Sequence, residues 1–299
     1  MSALYDSLMR FAAPEQLLRD EPMAAHTTFR IGGPADWMFF PESEGQVVAA
    51  MDAARALGVP VLVLGNGSNL IVRDGGIRGL VIALGERMSE VRVDGRVVSA
   101  QAGASLKRVA AAAQAAGLTG LEFASGIPGT LGGGCAMNAG AYGGQLSDSL
   151  VDARVLLDGA VRALTREEMQ MGYRTTLPLR RGGIVLGARF ALEPGDGAAI
   201  LERMRELNAR RREKQPLEYP SAGSTFKRPE GAFAAALIEQ CGLKGVSVGD
   251  AAVSEKHSGF LINRGNATCA DMEALIARVQ QVVAEQTGYR LETEVQRLG

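Results

Sequence analysis

The chain has 299 residues, 46% of them hydrophobic and 22% charged, ordinary globular usage that excludes a disordered, coiled-coil or collagen-like protein. Its 32 basic and 33 acidic residues leave a net charge of −1, so there is no global electrostatic footprint for nucleic acid and any anion site must be local. At this length two or three modules are expected. In chain order, the N-terminal MSALYDSLMRFAAPEQLLRDEP carries acids where a secretory signal would have a basic start and an apolar core. Asp36–Phe40 reads as extended chain ending at Pro41, Glu44–Leu57 as a helix and Val61–Leu64 as a short apolar strand, together a βαβ unit. Val91–Asp94 and Arg96–Ala100 flank Asp94-Gly95, a hairpin signal, and Leu106–Ala116 is an alanine-rich helix closed by Gly117. AILERMRELNARRREKQP predicts a long charged helix running to Pro216, with Arg210 and Arg211 on a solvated face. There follow a helix over Phe233–Cys241, strands near Ala251–Val253 and Gly259–Asn263, a helix over Asp271–Gln286 and a final strand over Arg290–Val295. No apolar run approaches the roughly 18 residues that cross a bilayer. Cys135, Cys241 and Cys269 are odd in number and far apart, which gives neither a disulfide framework nor a metal knuckle and fits a reduced, cytoplasmic chain without a metal.

Thirty-eight glycines are too many for caps and turns alone, and they cluster at Gly65–Gly85, Gly117–Gly144 and Gly242–Gly249. The run Leu64, Gly65, Asn66, Gly67, Ser68, Asn69 follows a strand and can aim several N–H groups at phosphate oxygens. It is no Walker A loop, since no Gly-Lys-Ser/Thr follows, and no Rossmann fingerprint, since Leu70 and strand-like Ile71-Val72 stand where a glycine and a helix belong. A plain tight turn explains it equally well. The second run, EFASGIPGTLGGGCAMNAGAYGG, is unusually poor in charge for a loop. Ser125, Gly126, Ile127, Pro128, Gly129, Gly132, Gly133, Asn138, Ala139 and Gly140 offer bare backbone to an extended cofactor, the alternative being close packing of small residues between elements. Two such runs imply a large dinucleotide held by an architecture other than Rossmann. In SAGSTFKRP, Ser224 reads as a helix N-cap or turn serine, or as a nucleophile. The last lacks a base: His26 and His257 are the only histidines and no GxSxG elbow surrounds Ser224.

HTTFRIGGPA, VLGNGSNLIVRDGGIRG, SGIPGTLGGGCAMNAGAYGG, YRTT, SAGSTFKRP, SEKHSGFLIN and LETEV occur in one order from about residue 24 to 296. Together they resemble the UDP-N-acetylenolpyruvoylglucosamine reductase (MurB) family, in its compact subtype without a tyrosine-loop insertion. The resemblance implies an α+β fold: two N-terminal FAD-binding modules of the vanillyl-alcohol-oxidase-like (PCMH-type) flavoprotein fold, residues 1–80 and 81–196, and a C-terminal α+β substrate-binding domain, residues 197–299. It implies non-covalent FAD, NADPH as electron donor, UDP-GlcNAc-enolpyruvate as substrate and a monomer acting in peptidoglycan precursor synthesis, with no membrane or nucleic-acid partner. It further implies that Ser224 donates a proton, that Arg174 stabilises the developing enolate, and that Glu294 completes the site as an acid. On a strand, Glu292 and Glu294 would share a face, so periodicity cannot choose between them, and Glu292 stands as the alternative. Tyr173, Lys214, Lys227, Arg228 and His257 are implied substrate contacts, although His257 reads equally well as a structural hydrogen-bonding group. Arg228 and Ala235 depart from the family pattern, and Cys135 sits at a variable spot with no role attached. Two other readings stand beside this one: another FAD-dependent oxidoreductase on the same scaffold, and a redox-inactive nucleotide-sugar binding protein.

Overall fold

The computed structural model describes residues 2–299. The chain divides into two compact units. One contains the N-terminal stretch to Leu18, Met38–Asn66 and Leu80–Arg211; the other contains Arg19–Trp37, Gly67–Gly79 and Arg212–Gly299. The architecture is α+β throughout.

In the first unit a five-stranded antiparallel sheet has the order Ala160–Thr165, Leu150–Leu157, Ile184–Ala191, Val97–Gln101, Val91–Asp94. The hairpin expected at Asp94-Gly95 is present, with Asp94 opposite Val97 and Gly95 at φ +55°. Val98, Val155, Ala188 and Phe190 of this sheet are buried with Leu106, Val109, Ala110 and Ala113 of the Leu106–Ala115 helix, whose N-cap Ser105 accepts from the Arg108 N–H. The Glu44–Ala56 helix is capped in the same way by Ser43. Val61–Leu64 pairs in parallel with Leu80–Ala83, Val61 opposite Leu80 and Leu64 opposite Ala83, and not with the strand before the helix. The long charged helix forms as Gly197–Lys214 and buries only Ile200, Met204 and Leu207, one stripe at helical spacing.

Part of the second glycine run is a helix, Leu131–Ala136, where sequence predicts a loop. A helical glycine is disfavoured by about 1 kcal/mol relative to alanine, so tertiary packing must override propensity. The geometry shows how. A Cβ on Gly132 would lie 2.9 Å from the Ala102 Cβ and 3.1 Å from the Val185 carbonyl oxygen, and one on Gly134 would lie 3.0 Å from Leu106 Cδ1. The helix can rest this closely on the sheet only because those side chains are absent. At both positions small-residue packing is the role the structure displays.

The second unit holds a three-stranded antiparallel sheet, Ser247–Val248, Ala251–Val253 and Leu261–Asn263, with the helices Ala234–Gln240 and Cys269–Thr287. The longer helix buries Cys269, Met272, Leu275, Ile276, Val279 and Val283, spacings of three and four that lay one apolar stripe on Val253, Leu261 and Ile71. Its N-terminus is capped twice. Thr268 accepts from the Asp271 N–H, and the Asp74 carboxylate accepts from Cys269 N–H at 2.9 Å and Ala270 N–H at 3.3 Å. The final strand is Gln296–Leu298, parallel to Leu70–Val72, and not the predicted Arg290–Val295. Residues 294–295 are a bend, so the shared-face argument for Glu292 and Glu294 does not apply.

Candidate active site

The Leu64–Asn69 run is divided: Leu64, Gly65 and Asn66 belong to the first unit, Gly67, Ser68 and Asn69 to the second. Gly67 has φ +58°, and a Cβ there would lie 2.2 Å from the His26 carbonyl oxygen, so only glycine admits the His26–Thr28 segment. Thr28 N–H donates to the Gly67 carbonyl at 3.3 Å, while its hydroxyl is buried without a hydrogen-bond partner. Asn69 uses its side-chain amide on the Glu294 carbonyl at 3.0 Å. In the first unit Ser125 is buried, its hydroxyl donating to the Glu122 carbonyl and accepting from Asn208 Nδ2 at 3.0 Å. Arg211 donates to the Gly126 carbonyl and lies over the Tyr142 ring at 5.9 Å. This corrects the solvated-face expectation for Arg211; Arg210 remains exposed beside Glu206 at 3.7 Å. The helix therefore holds the loop through Asn208 and Arg211. Ile127 packs against the core, Gly129 accepts from the Leu106 N–H, and Ala139 and Gly140 enter a tight hairpin over 140–145.

An extended cofactor needs bare backbone, and the structure offers some. Pro128 and Gly133 are exposed, and a Cβ on Gly133 would meet nothing nearer than Thr130 Oγ1 at 3.7 Å. The partnerless Thr28 hydroxyl beside Gly67 is a second feature that a polar ligand would satisfy. The exposed glycine backbone at Gly133 is thus of the kind an extended dinucleotide can lie against.

Arg174 sits on a two-residue turn. Gly172 and Thr175 exchange both backbone hydrogen bonds, at 2.9 Å and 3.4 Å, with Tyr173 and Arg174 between them. Arg174 has φ +55°, a left-handed conformation normally given to glycine or asparagine, and its guanidinium lies 5.4 Å from the centre of the exposed Tyr173 ring.

Ser224 lies in an extended segment of the second unit. Thr225 N–H donates to the Gly259 carbonyl at 2.9 Å on one side; on the other, Lys227 N–H donates to Glu292 O at 2.9 Å and Glu294 N–H to Thr225 O at 2.8 Å. The buried Thr225 hydroxyl accepts from Leu261 N–H at 3.2 Å. Ser224 and Glu294 are thereby brought onto adjoining segments, whereas Arg174 belongs to the other unit. Ser224 is exposed and caps no helix, since the N-cap of Ala234–Gln240 is Phe233. Glu292 is exposed and pairs with Lys227 Nζ at 3.1 Å, while Glu294 is half-buried. Arg228 stacks over the exposed Phe233 ring at 3.9 Å, and Lys214 is exposed at the helix end. His257 accepts from the Gly259 N–H through Nδ1 and packs edge-on against Phe260 at 4.9 Å; burial lowers its pKa below the ordinary imidazole value. Cys135 is fully buried and its pKa is pushed up to about 12 by burial, which leaves it an inert thiol.

Sequence reasoning missed Thr225, Asn208, Arg211 and Asp74, because each acts through a hydrogen bond that only the fold creates. Ser-Thr after Gly is at most a faint signal for the first.

A family model described as "UDP-N-acetylenolpyruvoylglucosamine reductase, C-terminal domain" matches residues 215–298, and one described as an FAD binding domain matches residues 35–164. The UDP-N-acetylenolpyruvoylglucosamine reductase of Agathobacter rectalis is 53% identical over 95% of this chain and 94% of its own length. That of Clostridium perfringens is 48% identical over 99% and 97%. Among solved structures, the enzyme of the same description from Thermus caldophilus superposes with a TM-score of 0.81 at 37% identity, covering 95% of this chain and 98% of that one.

Proposed function

Since the chain belongs to the UDP-N-acetylenolpyruvoylglucosamine reductase family and carries its FAD binding domain, we propose that it reduces UDP-GlcNAc-enolpyruvate to UDP-N-acetylmuramate at the expense of NADPH. The observation that carries this reading is the pairing of the Ser224 segment with 292–294, which sets a hydroxyl and a half-buried carboxyl on adjoining segments. Bound FAD, once reduced by NADPH, would supply the hydride for the enol-ether carbon. Ser224 then donates a proton to the neighbouring carbon, through a hydroxyl that can both give and accept. Arg174 meets the charge that develops on the substrate carboxylate with the planar, delocalised positive charge of its guanidinium. Glu294, and not the exposed, lysine-paired Glu292, is the assisting acid. Tyr173, Lys214, Lys227, Arg228 and His257 engage the sugar nucleotide.

For FAD the chain offers Leu64–Asn66, Ser125–Gly129 and Gly133 with Ala139 and Gly140 in the first unit, and Gly67–Asn69 in the second. Residues 1–80 and 81–196 serve the cofactor, and 197–299 the substrate. The enzyme acts as a cytoplasmic monomer; among the described residues no helix is long and apolar enough to cross a membrane.

The test is an anaerobic absorbance titration of the purified protein. The flavin band should bleach on adding NADPH and return only on adding UDP-GlcNAc-enolpyruvate. A band that ignores the sugar nucleotide would identify another flavoenzyme. A protein that shows no band even after FAD is supplied would be a binding protein.

A further inference from the structure

The Arg174 turn is gripped from both sides by the end of the Leu131–Ala136 helix. On the side before the turn, buried Asn138 donates from Nδ2 to the Gly172 carbonyl at 3.3 Å and to Gln145 Oε1 at 3.2 Å, while its Oδ1 accepts from the Ser147 N–H at 3.0 Å. Two of these partners are backbone groups of fixed polarity, so the amide has one orientation, and both of its hydrogens are in use. On the side after the turn, buried Thr176 donates its hydroxyl to the Ala136 carbonyl at 2.7 Å and accepts from Leu179 N–H at 3.3 Å. Backbone strain gathers at the same place. Among the described residues seven non-glycine positions have positive φ, and four of them are Asn138, Tyr142, Gln170 and Arg174. A strained conformation persists only where its surroundings over-determine it.

We propose that Asn138 is a positioning residue, which holds Gly172 so that the Tyr173–Arg174 turn presents its guanidinium in a set place, with Thr176 as the second arm of the same clamp. The inference rests on reading Arg174 as the residue that meets the developing charge. It also gives Asn138 a different task from the cofactor contact implied by resemblance, since its side-chain amide is committed to 145, 147 and 172.

Asn138→Asp isolates the contact. The carboxylate keeps the Ser147 N–H, and Gln145 can turn its own amide to donate, but the Gly172 carbonyl then faces an acceptor. A misplaced catalytic group costs on the order of 10- to 100-fold. Asn138→Asp should therefore slow reoxidation of the reduced flavin by UDP-GlcNAc-enolpyruvate by about that factor relative to its effect on reduction by NADPH. Amide exchange in a peptide spanning 170–177 should quicken. In an Arg174→Ala background the same substitution should add no further slowing. Thr176→Val carries the same comparison at the other arm should the first variant not fold, and Thr176→Ser, which keeps the hydroxyl, should restore the rate. The proposal is overturned if Arg174→Ala slows reoxidation while Asn138→Asp does not, or if Asn138→Asp slows it equally with and without Arg174. If Arg174→Ala itself leaves reoxidation at the parent rate, the assigned role of Arg174 falls, and the exchange experiment still shows whether Asn138 holds the turn.

Discussion

The Ser224–Lys227 segment and the Tyr173–Arg174 turn carry comparable candidate groups but are secured by opposite means. The first lies between two neighbours, 259–261 and 292–294, and is bound by main-chain hydrogen bonds of 2.8–2.9 Å, with the buried Thr225 hydroxyl adding one more. None of its residues has a positive φ; the one beside it, at Gly223, falls on a residue that adopts it readily. The turn closes on itself through Gly172 and Thr175, puts an arginine where glycine is preferred, and is tied to its surroundings by Asn138 and Thr176. Main-chain pairing is indifferent to most side chains, so the first arrangement should tolerate substitution of its functional group. A strained turn clamped by particular side chains should instead lose its geometry when the clamping residues Asn138 or Thr176 are replaced.

The largest expected effect is on the first region. Ser224→Ala removes a proton donor worth about 10²- to 10⁴-fold in rate and should slow reoxidation of the flavin by that order, while NADPH still bleaches the band. Because no hydrogen bond of the segment depends on the Ser224 side chain, its melting temperature should stay within a degree or two. Loss of FAD or a marked drop in melting temperature would mean that Ser224 is structural, and the contrast between the two regions would collapse.

Thr225→Val comes next. It keeps the shape but strands the buried Leu261 N–H, a loss of about 1–3 kcal/mol in urea unfolding. Thr225→Ser should recover most of it. If valine proves neutral, the segment is held by main-chain pairing alone.

Arg174→Gly has the opposite sign in stability. Relief of a left-handed non-glycine residue is worth about 1–3 kcal/mol, and the added chain entropy of glycine takes back about 0.5–1, leaving a gain near 1 kcal/mol by denaturant titration. Reoxidation by the sugar nucleotide should be crippled in the same variant. A loss of stability instead would show that the guanidinium contributes more to packing than its conformation costs.

Much of this framework is legible in the sequence. The helices at 44–56, 106–115, 197–214 and 269–287 are all expected from the sequence, the last beginning two residues before its expected start at Asp271. What fails is long-range in origin. Gly132 and Gly134 in Leu131–Ala136 stand against Ala102, Val185 and Leu106 with little room for side chains, and no local signal reports that. Asp74 caps a helix that starts at Cys269, 195 positions away. Ser224, Arg174 and Glu294 are ordinary residues until the family resemblance selects them. The three partners of Asn138 come together only in the folded chain.

The smallest effect concerns pH and should appear in one region only. His257 Nδ1 accepts from the Gly259 N–H, and the Gly259 carbonyl in turn accepts from Thr225, so the imidazole is linked to the Ser224 segment through Gly259. Burial is the main cause that lowers its pKa; the nearby Lys244 also lowers it, and Glu239, paired with Lys244 at 2.5 Å, raises it. The folded chain therefore prefers the neutral ring, while the unfolded chain takes up a proton below about pH 6.5. Stability from this group is complete above that pH and declines as pH falls through it towards the lower folded-state pKa. Urea unfolding at pH 5.5 and 7.5 should show a larger drop for the parent than for His257→Gln, which keeps an acceptor for Gly259 but cannot titrate. On acidification, amide exchange measured against the intrinsic rate at each pH should quicken over 257–261 and keep its ratio over 170–177, where no histidine contributes. Equal quickening in both would mean that the two regions share one opening event, and that the difference in how they are held does not govern how they loosen.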